Sequence, residues 1–231
     1  MKRKSVLRNT VVAILLLAVI IPMFAGHADA AKELRAGDTI KFGSYEQDDI
    51  FMNGAEPIEW YVLSVNDETA LLLSKYALFS GAYNESWASL TWDRCTLRDW
   101  MNDDFYESAF SSSEQDAIVT SILRAEKNPV YKTSAGEDTE DKVFVLSISE
   151  ASRFLKEARL LKGVPTEYAV SCGARRTKDG TCWYWLRSPG EDRTTAAYVT
   201  TEVTINEKGV PLNYYDAGVR PAIWVDLSKL G

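Results

Sequence analysis

The chain has 231 residues, 46% of them hydrophobic, and carries 26 Lys+Arg against 33 Asp+Glu, a formal net charge of −7. An acidic balance without a basic cluster in the body of the chain excludes nucleic acid and anionic membrane surfaces as natural partners. The single histidine, His27, lies in a leading segment with the features of a removable signal, which excludes Ser-His-Asp triads, Cys–His pairs and His-ligated zinc from the processed chain.

Residues 1–30 read as an export signal. Lys2, Arg3, Lys4 and Arg8 precede an apolar run from Val11 to Phe24, and Ala28 and Ala30 supply the small residues of a cleavage site ahead of Ala31. An uncleaved anchor is the alternative, but the run is shorter than the ~20 apolar residues a spanning helix needs. Cleavage leaves 22 basic and 32 acidic residues, a net charge of −10. Residues 31–231 fit a single secreted or extracytoplasmic domain, with no membrane insertion after processing.

The body opens with a predicted strand, Asp38 to Phe42, that stops at Gly43-Ser44. Pro57–Val65 and Thr69–Ser74, joined by Asn66-Asp67-Glu68, predict a hairpin. From Thr91 the period changes, and Trp92, Cys95, Leu97, Trp100, Met101 and Phe105 predict an amphipathic helix capped near Thr91 or Asp93. Ser111 to Glu114 has capping-box spacing, but Ile118 to Leu123 is β-branched, so a short helix passing into a strand is expected. Asn128 to Glu140 reads as loop, Asp141 to Ser147 as strand, and Glu150 to Leu161 as a helix begun at Ser147 or Ser149. A polar loop, Gly173–Gly180, leads to Trp183-Tyr184-Trp185-Leu186-Arg187 and a Ser-Pro-Gly turn; strands at Ala196–Thr200, through Ile205 and at Gly218–Asp226 complete the chain. Strands at both ends with helices between them predict an α+β domain.

Three cysteines remain after processing. Cys172 and Cys182 bracket the polar loop, and a disulfide between them is expected to contribute ~2–3 kcal/mol. Cys95, set in an amphipathic pattern beside Trp92 and Trp100, reads as a small buried hydrophobe.

Several runs carry a resemblance: Gly37-Asp38-x-Ile-x-Phe-Gly43, Trp92-x-x-Cys-x-Leu-Arg-x-Trp100, Asp138-Thr-x-Asp-Lys-Val-Phe144, Trp185-Leu-Arg-Ser-Pro-Gly190 and Gly218-Val-Arg-Pro-Ala222. In order and spacing they resemble the bacterial domain of unknown function numbered 6273, over nearly all of residues 37–227. That family is in turn similar to the C-type-lectin-like fold, in the branch that includes formylglycine-generating-enzyme relatives. The resemblance implies paired terminal strands, two main helices, and a long loop region that displays a ligand surface.

A formylglycine-type enzyme needs a reactive cysteine pair, whereas Cys172 and Cys182 are spaced for a structural bridge. A histidine-free envelope enzyme of that group is therefore the second reading, and a non-catalytic binding domain the first. Glu46–Asp49 and Asp138–Asp141 are the acidic runs with calcium-ligand chemistry, but neither has an Asp-x-Asp-x-Asp-Gly loop and solvated turns account for both. No metal and no cofactor is expected. Aromatics concentrate late. Trp183 and Trp185 are expected in the core, while Tyr184, Arg193, Tyr198, Asn213, Tyr214 and Tyr215 form the expected ligand face, since tyrosine rings stack on a ligand while their hydroxyls stay wet. Arg187, Trp185, Arg220, Cys172 and Cys182 are assigned structural roles. The expected partner is an extracellular glycan or protein.

Overall fold

The computed structural model describes residues 34–230; the signal expected at residues 1–30 lies outside the described residues. The first strands are β1 Thr39–Tyr45, β2 Glu56–Val65, β3 Thr69–Ser74 and the short β4 Phe79–Ser80. A 3-10 turn, Trp92–Arg94, breaks at Cys95 before α1 Thr96–Trp100, which runs through a π-helical turn, Met101–Phe105, into α2 Tyr106–Ala109. The expected cap at Thr91 or Asp93 is displaced: Cys95 caps α1, its Sγ accepting from the Arg98 N–H at 3.4 Å.

Next come α3 Ser112–Ala117, β5 Ile118–Val119, β6 Ser121–Leu123, β7 Thr139–Asp141 and β8 Val143–Phe144. The capping box of Ser111 and Glu114 starts α3. The helix expected over residues 150–161 splits into α4 Ile148–Arg153, opened by a Ser147–Glu150 capping box, and α5 Ala158–Leu161. A helix that was not expected, α6 Glu167–Ser171, starts where the Thr166 hydroxyl accepts from the Ala169 N–H. Last are β9 Tyr184–Pro189, β10 Thr195–Val199, β11 Ile205–Pro211, β12 Gly218–Val219 and β13 Ala222–Asp226.

The fold is α+β with mostly antiparallel strands. The larger sheet has the order β1-β2-β3-β13-β5, with β8 also on β13; the second has the order β11-β10-β9-β12-β4. The terminal strands share a sheet but do not pair as the lectin resemblance implied. The β2–β3 hairpin intervenes, and β13 registers on β3 from Ala222↔Leu73 to Asp226↔Thr69. Fully buried Ile58, Trp60, Val62, Leu72, Ile223 and Val225 share one face of this sheet, with Leu73 buried on the other, and burial of each large apolar side chain contributes ~1.5–3 kcal/mol.

The second sheet is tied down by close backbone approach. β12 threads beside β9 at Gly218, where a Cβ would stand 2.8 Å from the Ala77 Cβ and 3.0 Å from the Cys182 Sγ. Farther out, Gly209 at φ +78 allows the bulge by which β11 registers on β10, Ala196↔Val210 passing to Tyr198↔Asn206.

Two arginines pin this architecture. Arg187, 7% exposed, forms a two-pronged pair with Glu150, Nη2 donating at 2.8 Å, while its Nη1 also donates to the Val145 carbonyl at 3.0 Å. Arg220 is fully buried. Its Nη2 donates to the carbonyls of Ser74 at 2.7 Å and Leu160 at 3.0 Å, its Nε to Ser74 at 3.0 Å, and its guanidinium lies over the Tyr184 ring. Trp185 is buried, donating from its indole to the Gly81 carbonyl at 2.9 Å. Among the described residues no helix is long and apolar enough to cross a membrane.

The expected disulfide is absent: Cys172 and Cys182 are both free thiols. Cys172 ends α6 beside Tyr168, whereas Cys182 is buried against Gly218, under the second sheet. The two thiols have different neighbours, and loop length alone does not fix the geometry a bridge needs.

Candidate functional site

β9 decides where the late aromatics go. Strand alternation places Trp183 and Trp185 on one face and Tyr184 on the other. The Tyr184 face is the inner one. That side chain is 1% exposed, donates its hydroxyl to the Leu161 carbonyl at 2.8 Å, and lies beneath Arg220. Tyr184 is thus a core residue and is removed from the ligand face. The outer face is closed over Trp185 by Tyr83, ring centroids 5.7 Å apart, but opens toward the strand's beginning, so Trp183 is only half-buried.

There an open groove of about 440 Å³ is lined by Arg175, Thr177, Trp183, Tyr198, Thr200, Thr201, Glu202, Val210, Tyr214 and Asp216. Tyr198 pairs with Trp185 across β9–β10, which brings it diagonally over Trp183, and the two rings meet edge to face at 5.0 Å. Trp183 meets Trp185 the same way at 5.0 Å, so its ring is held from two sides. One wall is the polar loop after α6: Arg175 donates its N–H to the Asp216 carbonyl at 3.0 Å, joining that loop to the segment that carries Tyr214.

The opposite wall is the β10–β11 turn, where Thr200 and Thr204 share a hydroxyl hydrogen bond at 2.8 Å and Thr201 donates to Glu202 at 2.7 Å. This turn contains Val203 at φ +60. A β-branched residue in the left-handed region costs on the order of 1–3 kcal/mol, and such outliers cluster at functional sites.

The groove's polar ends contrast with those elsewhere. The indoles of Trp60, Trp92 and Trp185 and the hydroxyls of Tyr83 and Tyr184 all bond within the protein. Among the described residues, the Trp183 indole N–H, the Tyr198 and Tyr214 hydroxyls, the Arg175 guanidinium and the Asp216 carboxylate have no such bond. The Tyr198 hydroxyl is pushed up by burial and by the Glu202 carboxylate facing it, so it stays protonated and able to donate. The arrangement presents donors, acceptors and ring faces together, the requirements of an orienting binding surface.

Of the expected ligand face, the structure brings together only Tyr198 and Tyr214. Arg193 lies off the groove, its guanidinium donating weakly to Ser134 at 3.3–3.4 Å. Tyr215 is 60% exposed but turned aside, its hydroxyl donating to the Glu85 carbonyl at 3.1 Å, and half-buried Asn213 lines no part of the groove. Successive residues of the Asn213–Asp216 segment point different ways, Tyr214 and Asp216 into the groove and Asn213 and Tyr215 away from it, which proximity in sequence conceals. Trp183, Arg175, Thr177, Thr200, Thr201, Glu202, Val210 and Asp216 were missed; the Thr-Thr-Glu-Val-Thr turn, with polar residues flanking a strand pair, was the available signal.

The acidic runs have fold-internal partners. Glu46, Asp48 and Glu56 bring carboxylate oxygens within 4.8 Å of one another, but these accept from the Ile50, Asn53 and Gln47 nitrogens at 2.8–3.0 Å. Asp141 is buried, accepting from the Trp92 indole at 2.7 Å, Arg98 Nε at 2.6 Å and the Thr139 hydroxyl at 2.9 Å. Asp138 pairs with Arg124 and caps the Ala125 N–H. Burial pushes the Cys95 thiol up and the Cys182 thiol up to about 12, so neither is a thiolate nucleophile.

Compared with protein families, residues 67–227 match one described as a domain of unknown function, DUF6273. No curated protein and no solved structure matches the chain.

Proposed function

We propose a function for a chain that belongs to the DUF6273 family: it is an exported, non-catalytic domain that binds an extracellular or cell-envelope ligand, a glycan or a protein, in the Trp183–Tyr198–Tyr214 groove. The observation that carries this is the set of unengaged polar ends around fixed rings. Buried polar groups are paired within the protein; donors and acceptors gathered with aromatic rings in one concave groove match the composition of a ligand site. The strained Val203 turn, held in place beside it, supports the same reading.

The fold is proposed to be of the C-type-lectin-like type, on the strength of the β9–β11 face that carries the groove, with the separation of β1 from β13 as its departure. The basic start, apolar run and small residues of positions 1–30 support export and cleavage.

An array of glycans, cell-wall fragments and envelope proteins tests the binding, comparing the wild-type domain with Tyr214→Ala and Asp216→Ala. Retention of the same ligand at undiminished strength by both variants removes the groove from the proposal. N-terminal sequencing of the exported protein tests the signal, with Ala31 the expected first residue.

A further inference from the structure

We infer that the groove takes an uncharged saccharide of one to two rings, not a peptide; this rests on the groove being the ligand site. Its volume of about 440 Å³ lies in the ~300–1,000 Å³ range of small-molecule sites. Aromatic faces are electron-rich and attract the weakly positive C–H face of a sugar ring. Two such rings stand here, Trp183 with its orientation held by Trp185 and Tyr198, and Tyr214, 47% exposed.

A sugar's hydroxyls fan outward in the ring plane, each both a donor and an acceptor, and need both kinds of partner at the rim. Donors are the Trp183 indole and the Arg175 guanidinium, acceptors the Glu202 and Asp216 carboxylates, and the Tyr198 and Tyr214 hydroxyls serve as either. One cation against two anions gives no strong field to select a charged ligand.

Peptides meet the same groove less well. A helical segment needs an aliphatic trough, and Val210 is the one aliphatic side chain in the lining. Strand addition needs a free edge, and on β11 the Glu207 carbonyl already accepts from Asn128 Nδ2 at 2.8 Å. A proline-rich segment offers carbonyls but few N–H groups, leaving Glu202 and Asp216 without donors.

The test is a titration of the isotopically labelled domain, following the Trp183 indole N–H resonance, assigned by its loss in Trp183→Phe. The probes are chitobiose, cellobiose, maltose and, as the peptide arm, an oligoproline. One disaccharide is expected to shift that resonance saturably, and Tyr214→Ala and Asp216→Asn are each expected to weaken it about tenfold with the thermal midpoint unchanged. A shift with oligoproline and with no saccharide overturns the saccharide inference and leaves the groove as the ligand site. Saccharide binding undiminished in both variants overturns the groove as well. Silence of the Trp183 resonance to every probe overturns the saccharide inference.

Discussion

Arg187, on β9, and Arg175, in the loop that walls the groove, have opposite fates. Arg187 is almost enclosed, with Glu150 and the Val145 carbonyl accepting from its two terminal nitrogens; Arg175, exposed at the groove, has no side-chain partner among the described residues. Around Arg187 the polar groups are engaged within the protein, whereas around Trp183 they are not. Residue type and depth in the sequence do not distinguish the two; the destination of each hydrogen bond does.

The sharpest break of this contrast is Arg187→Ala. Removing one partner of an enclosed pair leaves Glu150 uncompensated and is expected to cost ~3–5 kcal/mol, read by chemical denaturation. A stable variant that has merely lost its ligand moves Arg187 to the groove's side of the comparison. Arg220→Met keeps volume but leaves the Ser74 and Leu160 carbonyls without a donor, a loss of ~2–3 kcal/mol; a Tm equal to wild type contradicts the pinning role.

The third expectation concerns pH. Burial alone pushes Glu150 up, but the Arg187 guanidinium and the Ser147 N–H outweigh it and hold the carboxyl below its ordinary 4.5. A depressed folded value stabilises the fold above the ordinary one, and that contribution is lost as pH falls through the folded value. Wild-type stability is therefore expected to decline below about pH 4.5, and Glu150→Gln to show a shallower decline. Equal acid slopes contradict it.

At the groove, Tyr214→Ala and Asp216→Ala are expected to change stability by no more than ~0.5 kcal/mol, the range of surface substitutions; larger losses in a melt place them in the fold. The smallest effect expected is none: reductant leaves the denaturation midpoint unchanged, because Cys172 and Cys182 are both free. A drop of ~2–3 kcal/mol reveals a bridge after all.

Much of the scaffold was legible. The β2–β3 hairpin, the Ser111 and Ser147 starts and the late strands follow from period, turn residues and capping spacing, which are local signals. α6 was not, because Glu167–Ser171 is short and its one clear mark is Thr166. The groove was legible only as an aromatic concentration. Alternation along β9 separates Trp183 from Tyr184, but which face is inner depends on α5 and Arg220, far away in sequence. The Arg187–Glu150 pair was hidden similarly, since Glu150 already had a local explanation as a capping-box residue.

The position of β13 has a kinetic consequence. This last strand fills the centre of the larger sheet, joining β3 to β5 and β8, and Arg220 just before it bonds Ser74, 146 residues earlier. Contacts this distant make for slow folding, since loop closure precedes the gain from pairing. Until residues 218–226 join, β3 is paired on one side only and Ser74 lacks its guanidinium, so completion of the larger sheet waits on these late contacts.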